Sequence, residues 1–230
     1  MQTEASSRAS ARRATEWIAE MNSQMPPILV SFVAPMLVMM LLFASLARRF
    51  RLNPRGAGWC VGLGLVSLGL LMIPFAGLPL ARVIAAVMTH WSEPLLALLL
   101  ACVGKTFFSV ELLRCEDAKV MWIFGVVTGV VLYPVALGIG SADPFAYGWH
   151  FGPLFIVVGI VAMIFQWRQN RFGWVLLVAL VLWQVGAAES ENLWDCLVDP
   201  VFFLVAVVAT CRSVITGNKR TSGEASRLKH

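Results

Sequence analysis

Charge is what this sequence has least of. Asp, Glu, Lys and Arg make up 13% of its 230 residues, against 59% hydrophobic side chains. A water-soluble domain of this length needs far more polar surface, so lipid is the expected solvent for most of the chain. Histidine is almost missing, with only His90, His150 and the terminal His230. Five cysteines (Cys60, Cys102, Cys115, Cys196, Cys211) lie in or beside apolar runs. They form no Cys-x-x-Cys pair and no Cys/His spacing suited to zinc, so packing is their expected role. There is no P-loop, dinucleotide fingerprint, nucleophile elbow or lipidation motif. The net charge of +5 does not point to nucleic acid, because the basic residues fall in short clusters between apolar runs rather than on one face. A polar stretch separates Met1 from the first apolar run, so no cleavable signal peptide is expected.

What is present is a succession of apolar runs. A helix needs roughly 20 such residues to cross a bilayer. The expected fold is therefore all-α, a polytopic transmembrane bundle of about seven spans. These spans cover 28–47, 57–78, part of 80–110, 120–139, 151–167, 172–188 and 193–215. A polar N-terminal tail (1–27) precedes this domain (28–215), and a basic tail (216–230), expected to be disordered, follows it. With seven spans, Arg48, Arg49, Arg51, Arg55, Arg114, Lys119, Arg168, Arg171 and the C-terminal tail share one side, and the opposite loops hold only Arg82. Basic loops stay in the cytoplasm, which puts the C-terminus inside and the N-terminus outside. Arg8, Arg12 and Arg13 in the N-terminal tail run against this rule. The expected location is the plasma membrane, as a bacterial inner-membrane protein.

The same division sends Glu93, Asp143, Glu189, Glu191, Asp195 and Asp199 to the outer side. Three of these acids precede proline, in "SEP" (92–94), "ADP" (142–144) and "VDP" (198–200). An acid that caps a helix takes hydrogen bonds from free backbone N–H groups and suits the positive end of the helix dipole. Proline in the first turn loses no bond. Two forks remain open on sequence alone. The third span is either a helix over 94–110 behind an amphipathic surface segment, or a helix over 80–103 that submerges His90 and Glu93. The seventh either starts at Pro200 or starts near Leu193, in which case Asp195 and Asp199 lie four apart on one helix face. A carboxylate within a membrane is costly unless it faces protein or water, so the second case marks a functional face. The expectation is that Asp195 and Asp199 project from that one face into protein, within reach of His90, Glu93 or His150. Asp199 is then the proton- or cation-binding group and Asp195 its partner at the mouth.

The candidate ligand- or cation-binding residues are accordingly Asp195, Asp199, Glu93, His90 and His150. Histidine and carboxylate together suit several divalent ions, and two histidines can ligate a haem, but no compact ligand spacing assigns a metal, and no cofactor is expected. The plainer reading puts both histidines in an interfacial aromatic belt with Trp91 and Trp149. Trp59, Trp122, Trp167, Trp174 and Trp194 are expected at span ends as well. Gly58/Gly62 and Gly125/Gly129 have the spacing that lets helices approach closely. "YGWHFGP" (147–153) suggests a broken start to the fifth span, of the kind that lines transporter sites. The leading functional expectation is a small transporter or permease-like protein with an outward acidic site for a proton or cation. The alternatives are an accessory subunit of a membrane complex and a membrane enzyme with an outward His/acid site. Expected partners are the lipid bilayer and other membrane subunits or a second copy, with no nucleic acid.

Overall fold

Prolines and left-handed glycines set the helix limits more sharply than hydropathy does. The computed structural model describes residues 32–75, 77–87, 90–138 and 143–227. Among them the fold is all-α, with one two-residue hairpin. The first apolar run forms α1 (Phe32–Arg49), and the tail 1–27 lies outside the described residues. The second forms α2 (Ala57–Leu71), which ends well before residue 78. Pro74 cannot donate the next helical hydrogen bond and instead opens the hairpin β1 (Pro74–Phe75) and β2 (Leu78–Pro79), which turns at Gly77 with φ +85°.

The third run resolves into two helices, α3 (Leu80–Val87) and α4 (Glu93–Val103). A continuous helix over 80–103 does not form, because the ring of Pro94 would strike the carbonyl of His90 within it. The last turns of α4 widen into a π-helix, Gly104–Phe108, which Ser109 closes at φ +57°. Next comes α5 (Cys115–Ala136), which starts before residue 120 and takes Glu116, Asp117 and Lys119 into its first turns. A 3₁₀ turn, Pro144–Gly148, precedes α6 (Pro153–Trp167). Then α7 (Phe172–Gln184) stops short of residue 188, and Gly186 at φ +68° supplies the left-handed residue that often follows a helix end.

The seventh run is broken as well. It gives α8 (Leu193–Leu197), an extended Val198 (φ −151°, ψ 124°), and α9 (Pro200–Arg227). An unbroken helix from Leu193 would press the Pro200 ring on the carbonyl of Cys196. The expectation that Asp195 and Asp199 share one helix face is therefore corrected: they sit on either side of a break. α9 runs on past Thr216, where the sequence suggested a disordered tail.

The main packing pairs are α6 with α7 and α5 with α9. The second pair is antiparallel: Gly125 of α5 meets Phe202 and Ala206, while Gly129 and Tyr133, further along, meet Phe203. A Cβ at Gly125 would come 2.8 Å from the Phe202 ring, and one at Gly129 would overlap the ring of Phe203. The Gly125/Gly129 spacing is thus a true close-packing seam. Gly58 and Gly62 meet nothing within 4 Å among the described residues. Phe107, Met121, Phe172, Leu176, Leu197 and Phe202 fill the core. Trp91 and Trp194 are buried in it, whereas Trp59, Trp149, Trp167 and Trp174 are exposed. The stretches Phe32–Arg49 and Cys115–Val135 are long and apolar enough to cross a membrane; Ala57–Leu71, Pro153–Trp167, Phe172–Gln184 and Pro200–Ile215 are apolar but shorter.

Candidate functional site

The break before α9 exists to be capped. Asp199 Oδ1 accepts from the backbone N–H of Phe202 at 2.8 Å, which satisfies a free donor in the first turn of α9. Its Oδ2 accepts from Ser92, from the backbone N–H at 3.0 Å and from the hydroxyl at 2.5 Å. Ser92 is in turn the N-cap position of α4. One carboxylate therefore ties the starts of two helices together, and both Ser92 and Asp199 are buried. Three donors are what a charged oxygen pair needs when water is excluded.

Of the three acid–proline pairs, each starts a helical element, but with different parts. Asp199 caps α9 itself. Asp143 caps only the 3₁₀ turn, accepting from Phe145 N–H at 3.1 Å, and Gly152 then precedes α6. Glu93 is not a cap: it is the first residue of α4, one place inside Ser92. Its Oε2 is buried and has no hydrogen-bond partner. The carboxylates of Glu189 and Asp199 lie within electrostatic range of it. Glu189 accepts from the backbone N–H of Trp91 at 3.1 Å, which brings a third acid to the start of α4. His90, just before, has a buried Nδ1 without a partner, and so does the Trp91 indole nitrogen.

Around these groups the 186–199 segment folds as a polar plug. Ser190 donates its hydroxyl to Asp195 Oδ2 at 2.7 Å and accepts from the N–H of Asn192 at 3.1 Å. Asn192 caps α8 through Trp194 N–H (2.9 Å) and reaches the carbonyl of Phe145 (3.1 Å). The Trp194 indole donates to the carbonyl of Pro144 at 2.7 Å. Gly148 is required here, since any Cβ would overlap Asn192. Cys196, buried in the same plug, has its thiol pushed up by burial and by the nearby Glu93 and Asp195 charges. His150 is exposed and makes no hydrogen bond or ion pair among the described residues. The structure thus gathers Glu93, Glu189, Asp195 and Asp199, with His90 alongside, and leaves His150 out. Among the described residues no group of three His, Cys, Asp or Glu side chains is arranged to hold a metal ion.

Sequence reasoning missed three residues. Ser92 and Asn192 carried a local signal, each being a good capping residue just before a helix. Asp117 did not stand out among the basic residues around it. It is buried, accepting from Arg114 N–H at 2.8 Å and from Arg171 N–H at 3.0 Å. The Arg171 side chain then grips the carbonyls of Glu111 (2.6 Å) and Leu112 (2.9 Å). Because α5 and α9 are antiparallel, Asp117 does at one end of that pair what Asp199 does at the other. Each carboxylate gives one oxygen to its own helix start and the other to a neighbour's.

Three cavities among the described residues lie away from the acids. One of about 520 Å³ lies along α6 by Ile160 and Trp167, and one of about 480 Å³ along α9 by Val208 and Arg212. The third, about 320 Å³, lies among Arg48, Arg55 and Lys105. Comparison with protein-family models, with curated proteins and with solved structures gives no match.

Proposed function

We propose that this chain is a multi-pass integral membrane protein of about seven spans. Its acid-rich end faces outward, and it works as a small permease-like protein in which Glu93 binds a proton or cation. The spans are α1, α2, α4 with its π-helix, α5, α6, α7 and α9, while α3 and α8 lie at the outer surface. Apolar bands exposed on four helices support a lipid surround: Ile123, Val127 and Val130 on α5, Ile156, Ile160 and Met163 on α6, Val178 and Val181 on α7, Leu204 and Val208 on α9. At 13 and 15 residues, α7 and α6 measure only roughly 20–23 Å, short of a hydrocarbon core of roughly 30 Å. Local thinning of the bilayer accommodates such helices, as do flanking groups such as Arg168, Arg171, Trp167 and Trp174 that reach for the interface. The orientation rests on the basic loops, and a bacterial inner membrane remains the location that fits it.

The observation that carries the functional reading is the unpartnered oxygen of Glu93. Asp199, Asp195 and Glu189 are each held by donors of the protein, so their roles are structural. A buried carboxylate oxygen without a donor is costly, and a proton or a cation is the partner that removes the cost. One observation favours the accessory-subunit reading instead. α2 exposes Val61, Leu65 and Val66, and its Gly58 and Gly62 meet nothing within 4 Å among the described residues, which suits a partner helix. The test is flux through reconstituted vesicles carrying an interior pH dye, under imposed proton and sodium gradients. Wild-type protein is expected to collapse one of the gradients faster than empty vesicles. Glu93→Gln, which keeps the size but not the charge, is expected not to. Wild-type vesicles as tight as empty ones under both gradients would favour the accessory reading.

A further inference from the structure

The cavity at the basic end is built from two elements that the sequence keeps far apart. After α1, the chain turns through Arg51 in a left-handed conformation (φ +61°), and Leu52 N–H bonds back to Ala47. Gly56 then donates its N–H to the carbonyl of Phe107 at 2.7 Å, which docks the 52–56 loop on the π-helix. Phe107 is buried in the core and anchors that contact. A π-turn spaces its side chains differently from an α-turn, and such turns are frequent at functional sites. Here the π-helix supplies Lys105 and Thr106 to the same cavity that Arg48, Asn53 and Arg55 line from the other side.

The charge on this lining is of one sign. It comprises three cations, Asn53, Thr106, Cys102 and Pro54, and no carboxylate. Among the described residues none of the three cations has an acidic partner; Arg48 donates only to the carbonyl of Ala44, one turn back on its own helix, at 3.3 Å. Like charges left together around a cavity repel one another unless an anion joins them. At about 320 Å³ the space matches the lower end of small-ligand sites, roughly 300 Å³, enough for a phosphate and part of its ester. Arginine binds phosphate oxygens in a fork, and lysine, asparagine and threonine supply single donors to the remaining ones.

We propose that the Arg48–Arg55–Lys105 cavity binds a phosphate group, contributed by the head group of an anionic phospholipid. The lipid source rests on the membrane reading above: basic pockets between helices at the cytoplasmic surface are where acidic head groups are met. The phosphate chemistry itself does not depend on it.

The test measures thermal unfolding of the full chain in detergent. The additions are phosphatidylglycerol, phosphatidylcholine and inorganic phosphate, each titrated alone. Phosphatidylglycerol is expected to raise the unfolding temperature in a saturable way, and phosphatidylcholine to do so much less. In the double variant Arg55→Gln/Lys105→Gln, whose side chains are exposed at the cavity rim, the apparent affinity is expected to fall roughly 25-fold. The double variant Lys119→Gln/Arg168→Gln, two exposed cations off the cavity, removes the same net charge and is expected to bind as wild type does. Saturable stabilisation by inorganic phosphate that matches phosphatidylglycerol, and is lost in the Arg55→Gln/Lys105→Gln variant, would keep the phosphate site and overturn the lipid source. Equal response of wild type and that variant, or equal response to the two lipids with none to phosphate, would overturn the site. Whether the chain stays soluble without detergent is read in the same preparation, so failure of the membrane reading is separately visible.

Discussion

Asp199 and Asp195 look alike on paper, and they should behave very differently. Asparagine at 199 keeps one oxygen for Phe202 but turns its amide toward Ser92, donor against donor. Asp199→Asn is therefore expected to lower stability by about 1–3 kcal/mol, the range for a buried polar group left unsatisfied. Asparagine at 195 can still accept from the Ser190 hydroxyl, so Asp195→Asn is expected to cost no more than about 0.5 kcal/mol. Thermal unfolding of both variants in one detergent checks this, and equal losses would remove Asp199 from the helix junction. The capping half of this role was legible, because an acid before proline acts on its own next turn. The other half was not: Ser92 lies 107 residues away, and nothing local marks it as the donor for Asp199.

At the scale of helices, the two glycine pairs separate spacing from contact. Gly129→Ala would drive a methyl into the Phe203 ring and force α5 from α9, at an expected cost of about 1–3 kcal/mol. Gly62→Ala meets nothing within 4 Å among the described residues and removes backbone freedom in a helix, so no loss and a gain of up to about 1 kcal/mol is expected. The check is the unfolding temperature of each variant; a loss at position 62 as large as at 129 would mean that α2 is packed by something beyond the described residues. Both pairs read identically in the sequence, since a motif states which residues can approach and not which helix comes near. Helix existence was legible from hydropathy almost throughout. Helix ends were not, because hydropathy does not see Pro74, Gly186 or the clash of Pro200 with Cys196. The same blindness joined Asp195 and Asp199 on one helix, and correcting it moved the candidate proton or cation group from Asp199 to Glu93.

The whole molecule is a charge-poor bundle whose two ends are tied by buried carboxylates, Asp199 at the acid-rich end and Asp117 at the basic one. On the function proposed above, this bundle spans a membrane with the acid-rich end outside. Labelling of single cysteines by an impermeant maleimide in intact and permeabilised cells, on a background with the native cysteines replaced by alanine, decides this. Ala146→Cys, exposed in the 3₁₀ turn, and Arg168→Cys, exposed after α6, sit at opposite ends of α6. Position 146 is expected to be labelled in intact cells, and position 168 only after permeabilisation. Labelling of 168 but not 146 in intact cells would invert the orientation, and recovery of the chain in the soluble fraction would contradict the membrane reading itself.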